Sequence, residues 1–438
     1  MSKSKKLLAV VIVVVMLTSV MAPVYAVAGA SKYTITSPYA TVDWDTWGAY
    51  KTQLHTHTTY SDSTLTLSET VERYYDLDFD ILAITDHGVH GTDWTKRAKM
   101  CNLIGYYGLY GNVDTLTPER NLQIATGEDR NGRGMYNLKS GIELNALVIR
   151  KNHVNGFFCD YGYDVWGTEN DYETAVKENA KAGGLTFLNH LGDWTGGGHD
   201  VANNNDPETL QYFADIFKKY PSCVGMEIIN EIDTTTRNDR VLWDNLLKIV
   251  IPSGRNIWGF SNDDAHEMKN IGISFETFML PSVSDETIRT AMENGTFFSV
   301  GRRARAELGE QFFGGYETPY PVVTKIDVDD DTDTISVEAE DYDKIQWVSE
   351  GKIIAEGNEI NLNDYADEIG CYVRFQLINN EGGMTFSNPF VVDDGTLSET
   401  NNDVYTAPEY PEIIQLLLDF FRILKNTKIG ALIHKISN

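Results

Sequence analysis

Cysteine is scarce in this chain: Cys101, Cys159, Cys223 and Cys371 are the four in 438 residues, and no two form a CxxC pair. That spacing excludes a zinc ribbon and points to no disulfide framework, so stability has to come from a buried core. Buried thiols are expected, with one bridge among the first three cysteines as the alternative. Basic residues are short too, 36 Lys and Arg against 64 Asp and Glu, for a net charge of −28. Such a surface repels polyanions, which argues against general nucleic-acid binding, and its acidity serves solubility. Long apolar runs are also missing. The run from Leu7 to Leu17 is short for a membrane span, follows Lys3, Lys5 and Lys6, and precedes Val24-Tyr25-Ala26. Residues 1–26 therefore read as a secretory signal peptide, with a cut after Ala30 or an uncleaved anchor as alternatives, and the rest is expected to be secreted or at the cell surface.

What the chain does have is apolar content, 42% of residues, enough for one large core and a second domain. Over residues 41–317 short apolar runs alternate with helical patterns. Strands are predicted at Lys51 to Leu54, Phe79 to Thr85, Ile142 to Ile149, Leu185 to Asn189, Cys223 to Ile229, Ile257 to Ser261 and Ile273 to Met279. Helices are predicted at Ser68 to Asp76, Asp171 to Ala182, Pro207 to Tyr220, Arg240 to Val250 and Asp285 to Asn294. This order predicts a parallel, barrel-like α/β domain. The stretch between His87 and Gly141, rich in Gly, Tyr and Asn, has no clear period and reads as a lid or inserted subdomain. Residues 318–392 carry short strands with turn signals, which predicts a small all-β, immunoglobulin-like sandwich. Its Asp-rich turn, DVDDDTD, reads as solvated because it lacks the order of a calcium loop. A polar linker follows over 393–411, and residues 412–438 read as an amphipathic helix and tail. Ile413, Leu416, Leu417, Phe420, Ile423 and Leu424 fall on one stripe that docks on the protein itself or contacts a membrane surface or partner.

Six of the nine histidines stand beside predicted strand ends. His55, His57 and Asp62 follow the first strand in LHTHTTYSD, and Asp86 and His87 end LAITDH. Glu143 lies in SGIELNA, His153 opens the strand HVNGFF, His190 ends LTFLNH, and Asp264 and His266 end WGFSNDDAH. In a (β/α) barrel the carboxyl ends of the strands converge on one face, so these groups can ring one cavity. Imidazoles and carboxylates in this number suit two or three divalent metal ions with mixed N/O ligation, and such ions supply local positive charge for a small phosphorylated substrate.

Taken in order, HTHTTYSD, TDH, IE with a distant His, NH and DAH resemble the motifs of the PHP (polymerase and histidinol phosphatase) superfamily of metallohydrolases. The resemblance covers roughly residues 48–305 and includes MENGTFFSVGRR at its close. It implies a distorted (β/α)7, TIM-like barrel with a trinuclear centre of Zn, Mn or Fe. The first metal would take His55, His57, Glu143 and Asp264; the second would share Glu143 and add His153 and His190; the third would use Asp62, His87 and His266. Asp86 is implied as an acceptor that orients an imidazole. The activity implied is that of a phosphoesterase in which a hydroxide held between metals attacks a phosphate ester, with Glu143 and Asp264 as its catalytic groups. Hydrolysis of an amide, carbamate or ester is the first alternative, and a non-catalytic cell-surface binding protein the second.

The chain departs from the family at Ser63, where glycine is common, at Leu191, where proline is common, and in Gly192-Asp193-Trp194, where an arginine is usual. These leave the ligands intact and bear on the substrate pocket. His90, His199 and Arg302 are candidate substrate contacts, joined by Arg303, Arg130, Arg133 and Lys139; for each, a solvated surface position is the competing reading. His434 is a tail residue.

Overall fold

A computed structural model describes residues 32–91, 93–98, 113–145, 152–163, 171–309 and 314–397. The expected signal peptide, most of the linker, the terminal helix and Cys101 lie outside the described residues. Cys159, Cys223 and Cys371 are free thiols, and Cys223 and Cys371 are buried.

The first half of the chain supplies β1 (Thr34–Thr36), β2 (Gly48–Gln53), β3 (Ile81–Leu82), β4 (Tyr136–Asn137), β5 (Ile142–Leu144), β6 (Val154–Phe157) and β7 (Leu185–Leu188). Then come β8 (Cys223–Asn230) and β9 (Trp258–Asn262). β2 pairs in parallel with β3, and a parallel bridge from His87 to Glu143 carries the path to β5. β7, β8 and β9 pair in parallel, and a bridge from Thr56 to Ala265 returns the path to the segment behind β2. Pairing thus closes into a ring through two of the candidate ligands and through residues beside others.

Within the ring, β6 corrects the all-parallel expectation. β6 runs antiparallel to both β5 and β7, with Val154 opposite Leu144 and Leu188. A reversed strand presents its amino end at the face where its neighbours present their carboxyl ends. That is why His153 precedes its strand whereas His190 and Asp264 follow theirs. Every residue of β5, β6, β7 and β8 is buried, as strands covered on both faces must be.

Around the ring the helices start where their caps dictate. Leu67–Asp76 is opened by a capping box between Thr66 and Glu69, and Pro207–Lys219 by the Asp206 side chain with proline in its first turn. Inside the ring, the rings of Phe187 and Phe260 stack at 4.3 Å, and Phe157 packs on Phe187 at 5.6 Å. The stretch expected to lack a period contains a helix, Pro118–Thr126, capped by Thr117 and ended by Gly127 in the left-handed region at φ 65°. Those two caps were the sequence signal for it.

Past the ring, β10 (Ser274–Leu280) and β11 (Phe297–Gly301) form an antiparallel pair, and β10 lies antiparallel to β2 rather than within the parallel set. The β-rich region that follows has β12 (Val322–Asp329), β13 (Thr334–Glu340), β14 (Lys344–Ser349) and β15 (Lys352–Glu356). It ends with β16 (Glu359–Asn361), β17 (Tyr372–Ile378), β18 (Met384–Ser387) and β19 (Phe390–Asp393). One sheet is β12-β13-β16, and β14, β17, β18 and β19 belong to the other. Between them sit Ile335, Val337, Trp347 and Phe375.

This region is joined to the ring by strand pairing. β1, from near the start of the described chain, pairs with β19, and β18 pairs with β11, so one sheet runs from ring to sandwich. A buried ion pair reinforces the joint: the Arg374 guanidinium donates to both carboxylate oxygens of Asp244, at 2.9 and 2.8 Å, and the Tyr372 hydroxyl donates to the same group at 2.8 Å. Removing one partner from such a pair strands a buried charge. Asp244→Ala is expected to lose about 3–5 kcal/mol of stability. Chemical denaturation of the variant checks this.

Candidate metal centre

The centre begins with alternation along an extended strand. His55 and His57 are two residues apart, so both imidazoles face the same side. The Gln53 carboxamide oxygen accepts from His55 N at 3.0 Å, the His55 carbonyl accepts from Asp264 N at 2.9 Å, and the Ala265 carbonyl accepts from His57 N at 3.2 Å. The Nε2 atoms of the two histidines come within 3.2 Å.

Glu143 is the hub. Its carboxylate is 1% exposed and touches five imidazoles. Oε1 lies 3.3 Å from His55 Nε2, 3.2 Å from His153 Nδ1 and 3.3 Å from His190 Nε2; Oε2 lies 3.2 Å from His57 Nε2 and 3.0 Å from His87 Nδ1. Asp264 Oδ1 is 3.3 Å from His55 Nε2 and 3.0 Å from His57 Nε2. Asp62 joins His87 Nε2 at 3.4 Å to His266 Nε2 at 3.3 Å. All nine predicted ligands meet in one cluster. The groups overlap: His55, His57 and Glu143 fall together, as do Asp62, His87 and His266 with His57 beside them, while His190 falls with His55 and Asp264, and His153 with His87 and Glu143.

This donor set fits divalent ions. Asp264 Oδ1 and His87 Nδ1 are buried without a hydrogen bond, although each lies 3.0 Å from an opposing ligand atom. Buried polar atoms without partners need an explanation, and lone pairs directed at a shared cation supply one. Nitrogen and carboxylate oxygen together suit Zn, Mn or Fe. Burial alone would lower the pKa of His55, but the carboxylates of Asp264, Glu143 and Glu227 outweigh it and hold the ring well above its usual range. Burial opposes protonation at His190 too, and Glu143 nonetheless holds that ring up to about 9. Two ligands also sit in left-handed backbone, His190 at φ 32° and Asp264 at φ 43°, a strain of about 1–3 kcal/mol each that the surrounding contacts must hold.

A supporting shell escaped the sequence reading. Glu227, wholly buried in β8, accepts from His55 Nδ1 at 2.8 Å and Asn262 Nδ2 at 3.1 Å through Oε1. Its Oε2 accepts from His190 N at 2.8 Å and Asn230 Nδ2 at 2.9 Å. A hydrogen on His55 Nδ1 leaves Nε2 free to ligate. The signal was a lone carboxylate inside the apolar run VGMEIIN. Asn189 Nδ2 donates to Glu143 Oε1 at 2.7 Å, an interaction with no sequence signature. Asp86 differs from expectation. Instead of an imidazole it accepts from Thr58 N at 2.7 Å and Ser61 Oγ at 2.6 Å, and Ser61 Oγ in turn stands 3.2 Å from His57 Nδ1. It orients the ring through the serine.

The ligands open onto a cavity of about 260 Å³, whose other lining residues are Asp193, Asn230, Glu231, Thr234 and Thr235. None of the candidate substrate contacts lines it. Arg302 is buried, donating to the Thr318 and Gly272 carbonyls and lying against Phe275 and Tyr320. Arg303 donates to Gly314 O, Arg130 to the carbonyls of Tyr75 and Phe79, and Arg133 to both oxygens of Asp80. Lys139 borders a different cavity, His90 is half-buried outside this one, and His199 is exposed on the loop after residues Leu191–Thr195. Charge in a sequence does not say which way a side chain leans. The missing arginine after His190 has a steric counterpart: a Cβ at Gly192 would stand 2.1 Å from the Thr235 carbonyl oxygen.

Residues 53–221 match the PHP domain family, so this chain carries a PHP domain. No curated protein matches the chain. Among solved structures, it is similar to a two-domain protein containing a predicted PHP-like metal-dependent phosphoesterase from Bacteroides vulgatus, at 13% identity and a TM-score of 0.39, over 80% of this chain and 88% of that one. It is also similar to the lesion-specific endonuclease PfuEndoQ from Pyrococcus furiosus, at 13% identity and a TM-score of 0.28, over 56% of each chain. An amidohydrolase from Chromobacterium violaceum is similar at 15% identity and a TM-score of 0.26, over 49% of this chain and 87% of that one.

Glu143→Gln is expected to purify folded with at least one metal equivalent fewer than the wild type, measured by elemental analysis beside circular dichroism. Glu227→Gln, which weakens the hold on His55 while sparing every ligand, should lower metal affinity about 10–100-fold in a chelator competition.

Proposed function

We propose that this chain is a metal-dependent phosphoesterase of the PHP type, acting outside the cytoplasm on a small phosphorylated substrate. The observation that carries the reading is Glu143, one buried carboxylate shared by five imidazoles, with Asp264 and Asp62 completing the ligand set. We read the ring as a distorted (β/α)7 barrel and the sandwich as immunoglobulin-like. His55, His57, Glu143 and Asp264 would hold one ion, Glu143 with His153 and His190 a second, and Asp62, His87 and His266 a third. Bound Zn, Mn or Fe supplies positive charge for phosphate oxygens and lowers the pKa of water toward about 7.

The chain's own groups do the rest. Glu227 and Asn189 fix His55, His190 and Glu143 in place, so little reorganisation is needed when charge develops. Asp264, contacting the nucleophile as well as the metal, would accept the proton that the attacking water loses. A cavity of about 260 Å³ suits a small ester, and the net charge of −28 disfavours a nucleic-acid duplex.

A second reading, hydrolysis of an amide, carbamate or ester on the same centre, is favoured by one observation. Among the described lining residues there is no Arg or Lys to grip a phosphate. The third reading, a binding protein built on a relic barrel, expects lost ligands, whereas all nine converge.

A panel of phosphomonoesters, phosphodiesters, amides, carbamates and carboxylic esters separates these readings. We expect turnover of a phosphate ester, abolished by chelation and restored by Zn, Mn or Fe. Turnover confined to amides or carboxylic esters would replace the first reading by the second, and metal-loaded protein inert on every class would favour the third.

A further inference from the structure

The cavity holds two carboxyl groups besides the ligands, on Asp193 and Glu231. Asp193 is engaged in interactions of its own. Glu231 makes no side-chain hydrogen bond among the described residues, while its backbone is pinned on both sides. Its N–H donates to the Asn262 carbonyl at 2.9 Å, and its carbonyl accepts from Ser274 Oγ at 2.9 Å. The residue is held left-handed at φ 50°, where a non-glycine residue costs about 1–3 kcal/mol. The turn beyond it is locked by Asp233, also left-handed at φ 55°, whose oxygens accept from the buried Arg240 guanidinium at 3.0 and 2.9 Å. A strained backbone, held rigid and turning an uncommitted carboxyl into a cavity, is a feature that packing alone does not require. Next to it, Asn230 Nδ2 reaches Asp264 Oδ2 at 3.3 Å, so Glu231 stands directly behind the residue that contacts the ligand set.

Resting on the phosphoesterase reading, we propose that the Glu231 carboxyl is the acid that protonates the departing oxygen of the substrate. As the P–O bond breaks, its electron pair goes to the leaving oxygen and the Glu231 proton forms the new O–H bond. Water adds its hydroxyl to phosphorus, and its remaining proton returns through solvent to Glu231. Net, one ester and one water give one alcohol and one phosphate. Burial disfavours the ionised form of this carboxyl, which favours the protonated state a donor needs.

The test uses the metal-loaded full chain and phosphate monoesters whose leaving groups range from an alkyl alcohol to dinitrophenol. Glu231→Gln should lower kcat about 100-fold or more on alkyl phosphate, the range a general acid contributes, with a loss that shrinks steadily toward dinitrophenyl phosphate, whose leaving oxygen needs no proton. Glu231→Asp, which keeps the acid and shortens its reach, should fall between. Metal content by elemental analysis should equal that of the wild type. Equal losses across all leaving groups, or a lost metal equivalent in Glu231→Gln, would overturn the assignment while leaving the phosphoesterase reading intact. A wild-type protein inert on every phosphate ester would instead remove that reading, and this inference with it.

Discussion

Everything in the ring serves one constraint: a carboxylate, Glu143, held out of water among five imidazoles. An ionised group cannot be buried unless opposite charge and hydrogen bonds compensate it, and the uncompensated cost is several kcal/mol per ion. Here Asp264 and Glu227 are buried beside it, and Asp62 nearly so. Anionic charge so concentrated calls for cations. Neutral rings with metal ions satisfy these carboxylates and leave the lone pairs of His87 and Asp264 with a purpose.

That demand propagates outward. The HxH segment is placed by β2, β2 by β10, β10 by β11, and β11 by β18 of the sandwich. The second region is therefore a buttress for the strand that ends in the first two ligands. Its β17 grips the helix Asp239–Val250 through Arg374 and Asp244, and that helix holds the turn carrying Glu231 through Arg240 and Asp233. Sandwich and cavity are mechanically continuous, which neither composition nor period could suggest.

Much of the molecule was legible in the chain. Asp285–Asn294 forms as predicted, and the helices predicted at 68–76 and 207–220 differ from the observed ones by one residue, because caps such as Thr66 and Asp206 mark their starts. The candidate ligands were readable because most of them sit in or just beyond short strands that the apolar pattern announces. The reversal of β6 was not, since antiparallel and parallel strands buried on both faces have the same apolar signature. The arginines misled for a related reason: Arg302 and Arg133 are charged, but their partners, Gly272, Thr318 and Asp80, lie elsewhere in the chain and turn them away from the cavity.

By itself the sequence determined the α/β character of the larger region and marked the nine candidate ligands and the chemistry their side chains allow, because residue type and period are local properties. Only the tertiary structure decided that Glu143 is the centre, that Glu227 and Asn189 orient its neighbours, that Asp86 acts through Ser61, and that Glu231 faces the cavity while Arg302 does not. Those are facts of distance and direction between segments far apart in the chain, fixed by strand order and burial, and no stretch of residues carries them alone.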